Sequence, residues 1–162
     1  MDEYIASLVI RYRTKGLLLD TVIFLLLAIG THNRDLVGRD KRLSNYIPED
    51  LDNLMAFIRP FSKLVTTPSI MTEASNLSGH LLGTDFSSGF VQHIARMDER
   101  HIPSAIACKS ELFESVGLTD SIIADVAKNQ YLILTDDFRL ASHLEKQRID
   151  VINFNHVPTF RW

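Results

Sequence analysis

Asp20, Glu73, Asp120 and the pair Asp136/Asp137 are acids that fall where an apolar stretch begins or ends, rather than on a solvated helix face. Asp20 is the most demanding. It follows Leu17-Leu18-Leu19 and precedes Val22-Ile23-Phe24, where desolvating a carboxylate costs on the order of several kcal/mol unless it is paired or ligated. If these acids converge, a pair about 4 Å apart repels by about 4 kcal/mol at an effective dielectric of roughly 20, so a cation has to lie among them. Hard oxygen donors without a His or Cys cluster favour Mg²⁺ or Mn²⁺ over zinc. An ion held in this way activates a water and neutralises charge growing on a phosphoryl group, which is the chemistry of phosphodiester hydrolysis. Apart from Asp20, each of these acids also has an ordinary structural role. Asp120 can answer a helix dipole, Asp136 or Asp137 can cap a helix, and Glu73 can sit on the rim of a surface helix. The acids taken together point to a site.

The hydrophobic pattern supplies elements that would bring them together. Ile5, Leu8, Val9 and Tyr12 recur at helical spacing and predict a short amphipathic helix ended by Gly16, its stripe serving as core or as a self-association surface. Leu17 to Leu19 predicts a buried strand running into a buried helix over 22–29. Thr31 to Asn45, holding Arg34, Arg39, Lys41 and Arg42, reads as a basic loop or frayed helical excursion. Pro48 opens a helix with Leu51, Leu54, Met55 and Ile58 on one face, closed by Pro60, and Leu64 to Thr66 makes a second strand. Thr67-Pro68 starts a helix with the stripe Ile70, Ala74, Leu77 and Leu81. Glu73 lies about 40° from Leu77 on that helix, with Asn76 one turn on.

Further helices are expected from Asp85 through Phe86, Phe90, Ile94 and Met97, and after Pro103 through Leu112, Phe113 and Val116 to a Gly117 cap. Another starts at Thr119 and Asp120 and buries Ile122, Ile123, Val126 and Ala127. Tyr131 to Leu134 is a strand ending at Thr135-Asp136-Asp137, followed by a helix through Leu140, Ala141 and Leu144 and a last strand from Ile149 to Phe154. The alternation predicts an α/β fold with a central, mainly parallel sheet flanked by helices. One domain over 1–162 is expected, with 1–15 a helical extension and 16–157 the core. Strand carboxyl ends open on one edge of such a sheet, so Asp20 and Asp136/Asp137 share that edge and Asp120 and Glu73 can reach it.

The 162 residues, 46% apolar and 23% charged, suit one globular domain. With 17 Lys+Arg against 20 Asp+Glu the net charge is −3, which excludes coating nucleic acid through bulk positive charge and confines any contact to local patches. A lone cysteine, Cys108, excludes an intramolecular disulfide and a Cys-based zinc site. It favours a reducing, cytoplasmic setting and is expected as a buried small hydrophobe. The run from Leu17 to Ile29 falls short of the roughly 20 residues that cross a bilayer and is interrupted by Asp20 and Thr21. Asp2 and Glu3 argue against a signal peptide, so no membrane association is expected. The histidines at 32, 80, 93, 101, 143 and 156 lack zinc-binding spacings, and no G-x-S-x-G, Walker or G-x-G-x-x-G motif occurs.

In chain order, L-L-L-D-T (Leu17 to Thr21), T-P-S-I-M-T-E-A-S-N-L (Thr67 to Leu77), G-L-T-D (Gly117 to Asp120) and L-T-D-D (Leu134 to Asp137) resemble the motifs of the PIN-domain nucleases, over roughly Gly16 to Val157. The resemblance implies a PIN-like fold and a Mg²⁺/Mn²⁺-dependent endoribonuclease acting on RNA, often the toxin of a toxin–antitoxin pair. An antitoxin protein and a second copy of the chain are the partners it suggests. Carried over by motif, Asp20, Glu73 and Asp120 hold the metal and carry catalysis. The fourth acid is Asp137, with Asp136 the second choice. Thr21, Asn76, Thr119 and Thr135 are implied to orient carboxylates and water. A metal-activated water would attack in line, with no covalent enzyme intermediate.

The family's first motif commonly reads D-x-N, whereas this chain has Asp20-Thr21-Val22. Val22 motivates the alternative of a catalytically weak PIN-like domain acting as an RNA-binding or regulatory module. A preference for DNA or structured substrates stays open, because no reader of a 2′-hydroxyl stands out. Arg34, Arg39, Lys41 and Arg42 are the candidates for gripping phosphates, with a solvated loop as their ordinary alternative.

Overall fold

Leu17, Leu18 and Leu19 form β1 (Leu17–Leu19), and each is fully enclosed. A strand buried on both faces has to be paired on both edges and covered by helices. On one side β1 pairs with β2 (Leu64–Thr66), Leu17 opposite Leu64, and on the other with β4 (Leu132–Thr135), Leu17 opposite Leu132. β3 (Asp98–Glu99) extends the sheet beyond β2 and β5 (Val151–Asn153) beyond β4. The order is β3-β2-β1-β4-β5 with every pairing parallel, so the expected α/β architecture is present with one central sheet flanked by helices. The structure, a computed structural model, describes residues 3–157. Met1 and Asp2 of the expected helical extension, and residues 158–162 of the expected domain, lie outside the described residues.

α1 (Glu3–Tyr12) buries Ile5, Leu8 and Tyr12 in the core, so its stripe serves packing and not self-association. Tyr12 Oη donates to Asp150 Oδ2 at 2.7 Å and Arg11 pairs with the same oxygen at 3.0 Å, tying the first helix to the turn before β5. α2 (Thr21–His32) is apolar all round and buries residues on every side, as a helix at the centre of a domain must. Around it lie α3 (Pro48–Ile58), α4 (Pro68–Leu77) and α5 (Phe86–Ala95). α8 (Leu118–Ala127) and α9 (Phe138–Lys146) follow later in the chain. Among the described residues no helix is long and apolar enough to cross a membrane.

Several expectations are corrected. Met55 is 45% exposed, and Phe57 takes the inner face of α3 beside Leu51 and Leu54. β3 has no counterpart in the sequence pattern: its two residues are charged and carry no apolar period, and Asp98 is held by Lys63 at 2.7 Å and Arg100 at 2.6 Å. The helix expected after Pro103 is broken into the single turns α6 (Ser104–Ala107) and α7 (Phe113–Val116). Cys108 ends the first of these turns and is exposed, not buried. Gly117 ends α7 as expected, at φ 85°, a left-handed conformation that glycine adopts without a Cβ clash. The last strand is shorter than predicted, because Phe154–His156 turns into a 3-10 helix.

Candidate active site

Strand order reverses around β1: the chain leaves it toward β2 and β3, then returns to its other side with β4 and β5. Carboxyl ends of strands at such a switch point frame a crevice. Here Asp20 follows β1, and Asp136 and Asp137 follow β4 across that crevice. A cavity of about 540 Å³ opens there, lined by Asp20, Thr21, Val22, Glu73, Thr119, Asp120, Asp136, Asp137 and Arg139, with Val116 and Leu118 as apolar wall. All five candidate acids therefore face one space.

The positioning contacts follow from the element ends. Asp20 is the N-cap of α2, its Oδ1 accepting from Thr21 N at 2.6 Å, while its Oδ2 accepts from Thr135 Oγ1 at 2.6 Å. Thr135 is fully buried, and its hydroxyl oxygen also accepts from Asp137 N at 3.0 Å, so one side chain links both strand ends. Thr21 Oγ1 donates to Glu73 Oε2 at 3.1 Å, reaching from α2 to α4. Asp137 caps α9, its Oδ1 accepting from Arg139 N and Leu140 N at 2.7 and 3.1 Å. Its capping role is thus realised while it still faces the cavity. Asp120 stands in the first turn of α8, and its carboxylate accepts no hydrogen bond from another described residue.

Electrostatics set these carboxyls apart from surface acids. Burial pushes Asp20 up to about 6, against the pull of its Thr135 and Thr21 hydrogen bonds and with the charges of Asp136 and Glu73 adding to the rise. Burial likewise pushes Asp120 up to about 7, reinforced by Asp20, Asp137 and Glu73 and opposed by Arg139. Arg139 is the sole Lys or Arg of the lining among the described residues. Negative charge is concentrated here with little to neutralise it. Among the described residues, no group of three or more His, Cys, Asp or Glu is drawn together closely enough to hold an ion as it stands. Taking one up requires side-chain adjustment, for which the exposed Glu73 and the hydrogen-bond-free Asp120 have room.

Three residues of the site carry no assignment from the sequence: Arg139, Tyr46 and Asn155. Tyr46, buried and packed on Phe154, donates its hydroxyl to Asp136 Oδ2 at 2.6 Å. Burial and that bond raise the tyrosine's own pKa. Asn155 Nδ2 donates to the Asp136 carbonyl at 3.2 Å. Nothing local marks Tyr46, which comes from the end of the basic loop, whereas Arg139 could have been found two residues after Asp137 in the first turn of α9. Asn76 does not line the carboxylate cavity but an adjoining groove.

The basic loop does not line the cavity either. Arg34 is committed to a two-point ion pair with Asp52, and Arg39, Lys41 and Arg42 are exposed. No protein-family model, curated protein or solved structure matches this chain.

Proposed function

We propose that the chain is a divalent-metal-dependent ribonuclease of the PIN type. The observation that carries this reading is the convergence of Asp20, Glu73, Asp120, Asp136 and Asp137 on one cavity at the carboxyl edge of a parallel sheet, with Arg139 as its cation. The donor chemistry fits Mg²⁺ or Mn²⁺: among the described residues the lining offers carboxylate and hydroxyl oxygens and no His or Cys. Asp20, Glu73 and Asp120 would hold the ion, with Asp137 or Asp136 completing the set. When bound, the ion supplies Lewis acidity, which makes water a better nucleophile and offsets charge on the phosphoryl oxygens.

The chain's own residues do the positioning. Thr135 and the Thr21 amide fix both oxygens of Asp20, and the Thr21 hydroxyl orients Glu73. Tyr46 holds one oxygen of Asp136. The exposed Arg139 guanidinium can attract a substrate phosphate to a cavity that would otherwise repel it.

The test is a Mn²⁺ titration that follows both melting temperature and cleavage of a mixed single-stranded RNA pool. Both are expected to respond, with cleavage abolished by EDTA and by Asp20→Asn. Cleavage that survives EDTA refutes the mechanism. A second reading is supported by Val22, which puts an apolar side chain on the cavity wall. On that reading the domain binds RNA or regulates with little catalysis, and the same titration would give binding without cleavage.

A further inference from the structure

A groove of about 580 Å³ lies beside the carboxylate cavity between α4 and α8, and the two share Glu73, Leu118 and Thr119 as a common wall. Pro68, Leu77 and Leu118 give the groove apolar sides, while Ser69, Thr72 and Asn76 add polar groups. None of these three polar side chains hydrogen-bonds to another described residue, so their donors and acceptors are free for a ligand. Glu73, on the shared wall, is the one charged residue of the lining among the described residues. A neutral, flat, amphipathic group suits such a groove better than a phosphate does.

We propose that this groove receives one unstacked nucleobase of single-stranded RNA, adjacent to the phosphate at the carboxylates, and that Asn76 reads the edge of that base. The inference rests on the ribonuclease reading and adds a specificity element to it. A polymer whose phosphate lies at the carboxylates and which runs on toward α4 passes over the shared wall of Glu73 and Thr119, and the nucleoside next to that phosphate then meets the groove. The faces of the base contact Leu77 and Leu118. The amide of Asn76 presents a donor and an acceptor in one plane, the arrangement by which Asn and Gln read base edges. A base in a duplex keeps its edge paired and its faces stacked, which restricts the site to single strands, loops and ends. Among the described residues the lining contains no aromatic platform, so they contribute choice among bases more than affinity.

The experiment uses the full chain and Asn76→Ala, which folds because Asn76 is exposed. A random-sequence single-stranded RNA pool is cut in Mn²⁺ and the cut ends are sequenced. In parallel, binding of labelled A, C, G and U hexamers is measured in an Asp20→Asn background, with and without Asn76→Ala, so that no probe is cut. The wild type is expected to favour one base beside the cut, and Asn76→Ala to reduce that preference at least about fivefold, leaving the Mn²⁺-induced thermal shift in place. Cleavage whose base preference is unchanged by Asn76→Ala overturns the groove and leaves the nuclease reading standing. No cleavage, with hexamer discrimination lost in Asn76→Ala, overturns the nuclease reading and upholds the groove. Neither cleavage nor discrimination among hexamers overturns both.

Discussion

Replacing Asp20 by Asn is expected to stabilise the metal-free protein at neutral pH even though it removes the most deeply placed acid of the site. The carboxyl is raised from 3.8 to about 6 on folding, chiefly by burial. A shift of about 2 pH units corresponds to a penalty of about 3 kcal/mol against the ionised folded form. Below pH 4 both folded and unfolded states are protonated and the penalty is absent. It grows as pH rises from about 4 to 6, where the unfolded carboxyl ionises before the folded one, and is complete above about pH 7. Against this, the asparagine amide meets Thr135 Oγ1, which now donates to Asp20. Reorienting that bond costs roughly 1 kcal/mol. The net gain of about 2 kcal/mol at pH 8 corresponds to a rise of roughly 4–8 °C for a chain of this size. The assay is thermal denaturation of both proteins in EDTA between pH 4 and 8. The gap should open with rising pH and close again in wild type as Mn²⁺ is added. A variant less stable than wild type at pH 8, or a gap indifferent to pH, refutes the account of Asp20 as an uncompensated buried charge.

Tyr46→Phe keeps the ring against Phe154 but removes the donor to Asp136. It should cost about 1.5 kcal/mol in urea denaturation and weaken Mn²⁺ binding several-fold, read by the metal-induced thermal shift; an unchanged shift would remove Tyr46 from the site. Leu18→Ala, in the fully enclosed central strand, should lose about 4 kcal/mol. A loss under about 1 kcal/mol in denaturant unfolding would contradict the central placement of β1.

The parts of the fold most legible in the sequence are those whose signal is local and apolar. Leu17 to Leu19 reads as a buried strand because the short apolar run is bounded by Gly16 and an acid, and Thr67-Pro68 reads as a helix start because cap and φ restriction coincide. β3 escapes such reading because two charged residues on a sheet edge carry no period. Met55 and Phe57 differ from expectation because a three-turn helix can rotate its inner face by a residue when an aromatic ring fills the core better. In the site, Asp20 and Asp136/Asp137 are legible as acids at apolar boundaries. Tyr46 is not, since its contact joins residues 90 positions apart and depends on where a polar loop lands. Asn76 lies on the expected helix edge but faces a different hollow, a distinction of a few ångströms that helical spacing does not resolve.

The hydrogen bond from Thr135 to Asp20 spans 115 positions, and β1 lacks one of its two pairing partners until β4 is present. Residues 17–20 are thus made well before the strand that completes the centre they frame. During synthesis the burial of Asp20 waits until Thr135 and the rest of β4 have emerged. A prematurely terminated chain carries most of the acids but not their arrangement. Any activity at this edge of the sheet is therefore withheld from unfinished copies by topology alone, with no separate inhibitor required at that stage.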